Sequence, residues 1–270
     1  MRDVLPVPLR LRAGSAVFRA SAKVVAWGLL FYAGVSFLGA YFVENATGSA
    51  VLQAVLAEWG AGRLGISWSD PDAKTPTFSA IARRAARGAS IGLTAGVVVL
   101  GFALLTRAAW LAPNTPALAP IFLGLIVPAF VAMKEELLFR GLVLRVLPKE
   151  TPGSIALVAC GLSSAAAAVG AGAKSVPEIL TAGLGGVAFA ALWRRDRGAG
   201  MAWGAHTAWL WAAQALARGG VIDLRAAETP WGGGDAGLGA GWAGVAAIGL
   251  LAGGAFVADV AAKKARMAST

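Results

Sequence analysis

The chain has 270 residues, 57% of them hydrophobic and only 14% charged, with a mean hydropathy of +0.68. Soluble domains carry roughly 25% charged residues, so the composition excludes an ordinary soluble domain and indicates an integral membrane protein. The net charge of +10 does not point to nucleic acid, because the lysines and arginines gather at the ends of apolar runs, which is the positive-inside pattern and not a nucleic-acid patch.

A helix needs about 20 apolar residues to cross a bilayer. Arg2, Arg10, Arg12, Arg19 and Lys23 precede an apolar stretch that is too long for a signal peptide, which predicts an uncleaved first span over residues 22–43. Asn45-Ala46-Thr47 matches a glycosylation acceptor, a tripeptide that is common by chance. Residues 46–67, apolar apart from Gln53, Glu58 and Arg63, predict a short second crossing or a re-entrant segment. Residues 68–76 are turn-rich and read as a cytoplasmic loop. Phe78, Ile81 and Ala85 then face away from Arg83, Arg84 and Arg87, as in an interfacial amphipathic helix.

Further spans are expected over 88–106, 117–134, 153–172, 178–193, 199–217 and 239–260, each bounded by turn or charged residues. Arg145 and Lys149, the run Trp193-Arg194-Arg195-Asp196-Arg197, and Lys263-Lys264-Ala265-Arg266 mark cytoplasmic ends, whereas loops 107–116 and 173–178 are poor in basic residues. The expectation is an all-α polytopic transmembrane bundle of 7–8 spans, with eight crossings and both termini inside. Gly200/Gly204 and Gly249/Gly253 have small-xxx-small spacing, but among 36 glycines this says little beyond generic helix packing. Cys160 is the single cysteine, lies in an apolar segment and reads as a core residue.

Met133-Lys134-Glu135-Glu136-Leu137-Leu138-Phe139-Arg140-Gly141 stands apart. Ionisable groups at membrane depth are costly and face a bundle interior or a wet cavity, which makes them a candidate site. Glu136 and Arg140 are four residues apart and can pair on one helix face. Glu135 is expected about 100° away and without that partner. The bland alternative is that these charges only mark the water boundary, but apolar residues continue from Gly141 to Leu147. His206, the only histidine, lies within an apolar span and needs a polar partner, for which a carboxylate on another helix is the natural candidate. One histidine and one cysteine are too few for a zinc site, and no Gly-x-Ser-x-Gly turn or phosphate-binding glycine motif occurs. No metal and no cofactor are expected. Carboxylate chemistry, binding, or no chemistry remain.

The stretch Glu135-Glu136-Leu137-Leu138-Phe139-Arg140-Gly141 resembles the first motif of the CPBP family, the glutamic-type intramembrane endopeptidases that include CAAX proteases and bacteriocin-processing (Abi) enzymes. The resemblance covers about residues 117–217 and implies a four-helix core there, with N-terminal spans over 1–116 and a loop and last span over 218–270. It implies that Glu135 activates water, that Glu136 and Arg140 support it, and that His206 donates to an oxyanion. Ser163-Ser164 fit the lead-in to the second motif, but Ala167 and Ala171 stand where phenylalanine and histidine are expected. In the third motif, His206-Thr207-Ala208-Trp209-Leu210 carries Leu210 in place of asparagine.

Three readings follow. The first is a metal-independent endopeptidase that cleaves a membrane-anchored protein or peptide at the bilayer, in a bacterial inner (plasma) membrane. The second is a pseudoprotease that binds substrate tails or a second membrane protease. The third, more distant, is a transporter or ion-relay component.

Overall fold

Long runs rich in alanine, leucine and valine, interrupted only by capping and turn residues, build this chain almost wholly from helices. The computed structural model describes residues 7–69, 77–112, 122–147, 151–215, 223–226, 230–234 and 237–268. Helix α1 spans Val7–Phe42 and α2 spans Ala46–Arg63. The Asn45 side chain caps α2 by accepting from the Gly48 amide at 2.6 Å, so this residue has a structural use apart from its glycosylation-like context. Helix α3 (Phe78–Leu105) starts at a Thr77 cap and runs without a break. The amphipathic turns over residues 78–87 are therefore its first turns and not a separate interfacial helix, because nothing between Arg87 and Gly88 interrupts the backbone hydrogen bonding. Of the expected loop 68–76, residues 70–76 lie outside the described residues.

The next rod comprises α4 (Ile126–Glu135), a π-helical segment (Glu136–Gly141) and α5 (Leu142–Val146). Of the span expected over 117–134, residues 117–121 lie outside the described residues; the rod continues past 134 to Val146, and the charged motif sits in mid-rod as the continuing apolar pattern implied. Helices α6 (Gly153–Gly170) and α7 (Val176–Asp196) follow, then α8 (Ala199–Leu210), which ends in a π turn over Trp211–Ala215. A 3-10 turn at Leu238–Ala240 leads into α9 (Trp242–Ala268). Two four-residue strands, β1 (Ala109–Ala112) and β2 (Asp223–Ala226), pair antiparallel with Ala109 opposite Ala226. This small ribbon apart, the described residues form an all-α membrane bundle.

Among the described residues, five helical stretches are long and apolar enough to cross a bilayer: Arg19–Phe42, Phe78–Leu105, Gly153–Gly170, Val176–Asp196 and Trp242–Ala261. The other rods expected to cross are short or interrupted, each for a local reason. The π segment, with Lys134, Glu135, Glu136 and Arg140, divides residues 126–146. Helix α8 has 12 residues before its own π turn. Helix α2 carries Gln53, Glu58 and Arg63 in 18 residues.

Small residues set the closest packing, as expected where helices associate by backbone approach. A Cβ at Gly88 or Gly92 of α3 would overlap the Met201 or Ala205 carbonyl of α8, and one at Gly204 would overlap the Ala85 carbonyl. Helices α6 and α7 cross as tightly: a Cβ at Gly186 would lie 2.7 Å from the Cys160 carbonyl oxygen. Gly253, by contrast, faces open space. Val99, Val143, Leu157, Phe189, Leu192 and Ile248 join the helices in one buried core, with Cys160 fully enclosed. Arg84 pairs with Asp196 at 3.6 Å and Arg194 with Asp259 at 3.4 Å, so the basic ends of α3, α7 and α9 gather on one face.

Candidate functional site

The π-helical segment decides the geometry of the motif. In an α-helix, residues five apart point in different directions, whereas a π turn bonds i to i+5 and is common at functional sites. Glu135 and Glu136 consequently both approach Arg140. One guanidinium nitrogen, Nη1, lies 3.6 Å from Glu136 Oε1 and 3.9 Å from Glu135 Oε2. The predicted Glu136–Arg140 pair is present. The expectation that Glu135 has no share in that arginine is overturned, because it assumed α-helical spacing through residue 140.

The two carboxylates differ in environment. Glu136 is fully buried, while the Glu135 side chain is 21% exposed and lines a cavity of about 180 Å³. Arg140, only 1% exposed, lines the same cavity. His206 arrives from α8 between the carboxylates. Its Nδ1 is 2.9 Å from Glu136 Oε1, within hydrogen-bond distance. Its Nε2 then points toward Glu135 Oε2, 3.6 Å away. The expected partner of the lone histidine, a carboxylate from another helix, is therefore Glu136.

Neighbouring groups hold this arrangement. The Phe189 ring of α7 stacks on the His206 ring at 4.4 Å and 20°, and it lies 5.5 Å from the Arg140 guanidinium carbon, within cation–π range. Trp203 Nε1 donates to the Ala129 carbonyl at 2.9 Å and fastens α8 to α4. Lys134, adjacent to the motif, turns to the other side of its helix. Its ammonium donates to Gln53 Oε1 at 2.6 Å and Ser36 Oγ at 3.2 Å, and sits 4.1 Å from the Tyr32 ring centre. It anchors the rod to α1 and α2.

Ala167, Ala171 and Leu210, the three positions that depart from the resembling motifs, all line the cavity. Ser164 of the motif lead-in lines it too, and sequence reasoning missed Phe189, Tyr32 and Thr181, which are also in the lining. Ser164 Oγ and Thr181 Oγ1 are buried without a hydrogen-bond partner among the described residues, leaving two hydroxyls available in the wall. A lone aromatic in the alanine-rich stretch of α7 was the only signal for Phe189, and by itself it reads as core.

A family model described as Type II CAAX prenyl endopeptidase Rce1-like matches residues 116–212. That stretch carries Glu135, Glu136, Arg140, Phe189 and His206, every residue of the buried cluster. Over that stretch the chain is similar to the core of a CPBP-family, CAAX-type intramembrane protease, within an integral membrane protein. No curated protein and no solved structure matches the chain.

Proposed function

We propose that the CPBP-like core hydrolyses a peptide bond of a membrane-anchored protein by a glutamic mechanism, with Glu135 as general base. The observation that carries this reading is the division of labour between adjacent carboxylates. Glu135 faces the cavity, whereas Glu136 is enclosed and held by His206 and Arg140. Glu135 takes a proton from water, and the hydroxide adds to the scissile carbonyl carbon. As the C–N bond breaks, the proton passes to the leaving amine nitrogen. Glu136 fixes the tautomer of His206, which directs Nε2 at Glu135 and at the reacting atoms, the orienting role that buried carboxylates commonly play for histidine. Arg140 balances the negative charge in a site with little water. The substrate is a membrane-associated peptide or protein, and a bacterial inner (plasma) membrane is the proposed location.

Glu135→Gln keeps the size of the side chain and removes the base. General-base catalysis contributes about 10²–10⁴-fold, so turnover of membrane-anchored peptides by the purified variant is expected to fall by that order. Equal turnover by wild type and variant would rule out the glutamic mechanism. A second reading has its own observation: apolar Ala171 and Leu210 stand on the cavity wall where the resemblance expects histidine and asparagine. On that reading the core binds tails, or a second membrane protease, without cleaving. Tail binding with no turnover in the wild type is its signature.

A further inference from the structure

Helices α1, α2 and α5 leave a groove on the bundle surface that is separate from the cavity of the carboxylates. No described residue lines both: on α1, Tyr32 lines the cavity and Phe31 the groove. The groove encloses about 590 Å³, within the range of about 300–1,000 Å³ usual for small-ligand sites. Among its described lining residues Arg63 alone is charged, and the others are apolar or glycine. Helix α1 supplies one wall from Val24 to Gly34, a rise of about 15 Å at 1.5 Å per residue. That is half of the ~30 Å hydrocarbon core of a bilayer, the depth of one leaflet. A void between such walls forfeits dispersion contacts on both sides, so a flexible apolar chain that fills it is favoured.

The charged residues sit at one end. Helices α1 and α2 are antiparallel neighbours, with Gly39 against Gln53 and Gly60 against Phe31. The first part of the α1 wall therefore lies beside the last turns of α2. Beyond α2, the Ala199 amide donates to the Trp68 carbonyl at 2.8 Å, and Ser69 bridges Gly198. These contacts adjoin Asp196 and its partner Arg84, so Arg63, in the last turn of α2, stands toward the basic face. Lys23 immediately precedes Val24 and is exposed. On each helix an exposed tryptophan stands four residues from the cation, Trp27 from Lys23 and Trp59 from Arg63. Tryptophan is enriched at the membrane–water interface. The Arg63 guanidinium carbon is 5.3 Å from the Trp59 ring centre, a cation–π contact that keeps the charge beside the groove.

We propose that this groove binds one anionic phospholipid, with an acyl chain along Leu30, Phe31 and Leu142 and the phosphate between Arg63 and Lys23. Two cations at the end of an apolar slot one leaflet deep match a lipid whose headgroup carries net negative charge. A zwitterionic headgroup brings its own cation next to Arg63 and gains less. A guanidinium also suits phosphate, because its planar fork contacts two oxygens at once. Leu142 and Val146 directly follow the π-helical segment, so the lipid packs against the rod that carries the carboxylates. The site does not depend on peptide hydrolysis.

The purified full-length chain is exchanged into detergent with equal amounts of phosphatidylglycerol and phosphatidylcholine of the same acyl chains. Native mass spectrometry then counts the lipid retained. One phosphatidylglycerol per chain, in excess over phosphatidylcholine, is the expected result. A basic residue near the membrane surface is worth about fivefold in attracting an anionic lipid. Arg63→Gln is therefore expected to lower the preference by about that factor, and adding Lys23→Gln to bring the two lipids near parity. Arg107→Gln, which removes the same charge beyond the far end of α3, leaves the preference unchanged. Gly34→Trp fills the groove from a position where a Cβ meets nothing within 4 Å, and retention of both lipids falls. Equal retention of the two lipids by the wild type overturns the site. So does a preference that survives the double variant, retention that survives Gly34→Trp, or a lipid-free chain paired with a second copy.

Thermal unfolding supplies a second reading, since a ligand that binds only the folded state raises the melting temperature. Phosphatidylglycerol is expected to raise it more than phosphatidylcholine in the wild type and to lose that effect in Gly34→Trp. If Gly34→Trp melts well below the wild type without lipid, Gly34→Leu, a smaller filling of the same space, takes its place. An equal rise with both lipids overturns the proposal. None of these readings uses turnover. A chain that retains phosphatidylglycerol and cleaves nothing keeps the site and removes the protease, and one that cleaves but retains no lipid does the reverse.

Discussion

Arg140 carries the electrostatics of the site on one side chain. It is 1% exposed and lies within 4 Å of both carboxylates, beside a histidine already committed to Glu136. Removing one member of a buried charge cluster leaves an uncompensated charge and typically costs about 3–5 kcal/mol, whereas replacing the whole pair by apolar groups is often neutral. Arg140→Met is therefore expected to lower stability by about that amount, and adding Glu136→Leu to recover most of it. Thermal unfolding in detergent micelles checks both, and a double variant no better than the single one contradicts the electrostatic account. Leu210 poses the converse question. It is partly exposed on the cavity wall, so an amide there is not forced into a dry core. One well-placed oxyanion donor is worth about 10²–10³ in kcat. Leu210→Asn is expected to raise turnover by about tenfold or more, with KM little changed, because the new contact forms mainly in the transition state. A fall in turnover would indicate that this wall serves substrate packing instead.

At the scale of elements, the sequence disclosed the motif but not the turn that shapes it. Spacing alone makes Glu136 and Arg140 neighbours, and they are. It cannot reveal that six residues from Glu136 to Gly141 wind as a π-helix, because that depends on how α4 and α5 dock against α2, α7 and α8. Glu135, which α-helical spacing leaves without an arginine, consequently has Arg140 3.9 Å away. The same limit explains Phe189, whose stacking on His206 depends on how α7 packs beside α8. Among glycine spacings that looked equivalent, Gly204 meets the Ala85 backbone while Gly253 meets nothing. Gly204→Leu must push α8 off α3 and move His206 with it. Overpacking of this kind costs about 1–3 kcal/mol or more, so a lower melting temperature and reduced turnover are expected together, with Gly253→Leu near wild type in both. Similar losses in the two variants would mean that generic helix propensity, and not backbone approach, is responsible.

For the whole molecule, composition and charge were enough to read a helical membrane bundle with one basic face, because both depend on sums over many residues. The number of full crossings was less legible, since interrupted rods such as residues 126–146 meet a hydropathy pattern without a continuous apolar helix. The last helix shows how the bundle is completed around the core. Helix α9 runs along α7, and at the basic end Asp259, with its side chain 5% exposed, faces Arg194, 26% exposed, at 3.4 Å. The pair is asymmetric in burial, and so must be the cost of breaking it. Arg194→Met strands a carboxylate with little access to water, while Asp259→Asn leaves a guanidinium that can still reach solvent by extending its stem. Arg194→Met is therefore expected to be the more destabilising, by about 1–3 kcal/mol relative to Asp259→Asn. Proteolysis in micelles, followed at the α9 segment, distinguishes them: α9 should be cut sooner in Arg194→Met while the Rce1-like core stays protected. Equal protection in both variants would place the attachment of α9 in the apolar core that its Ile248 shares with Leu184 and Phe189 of α7, and not in this ion pair.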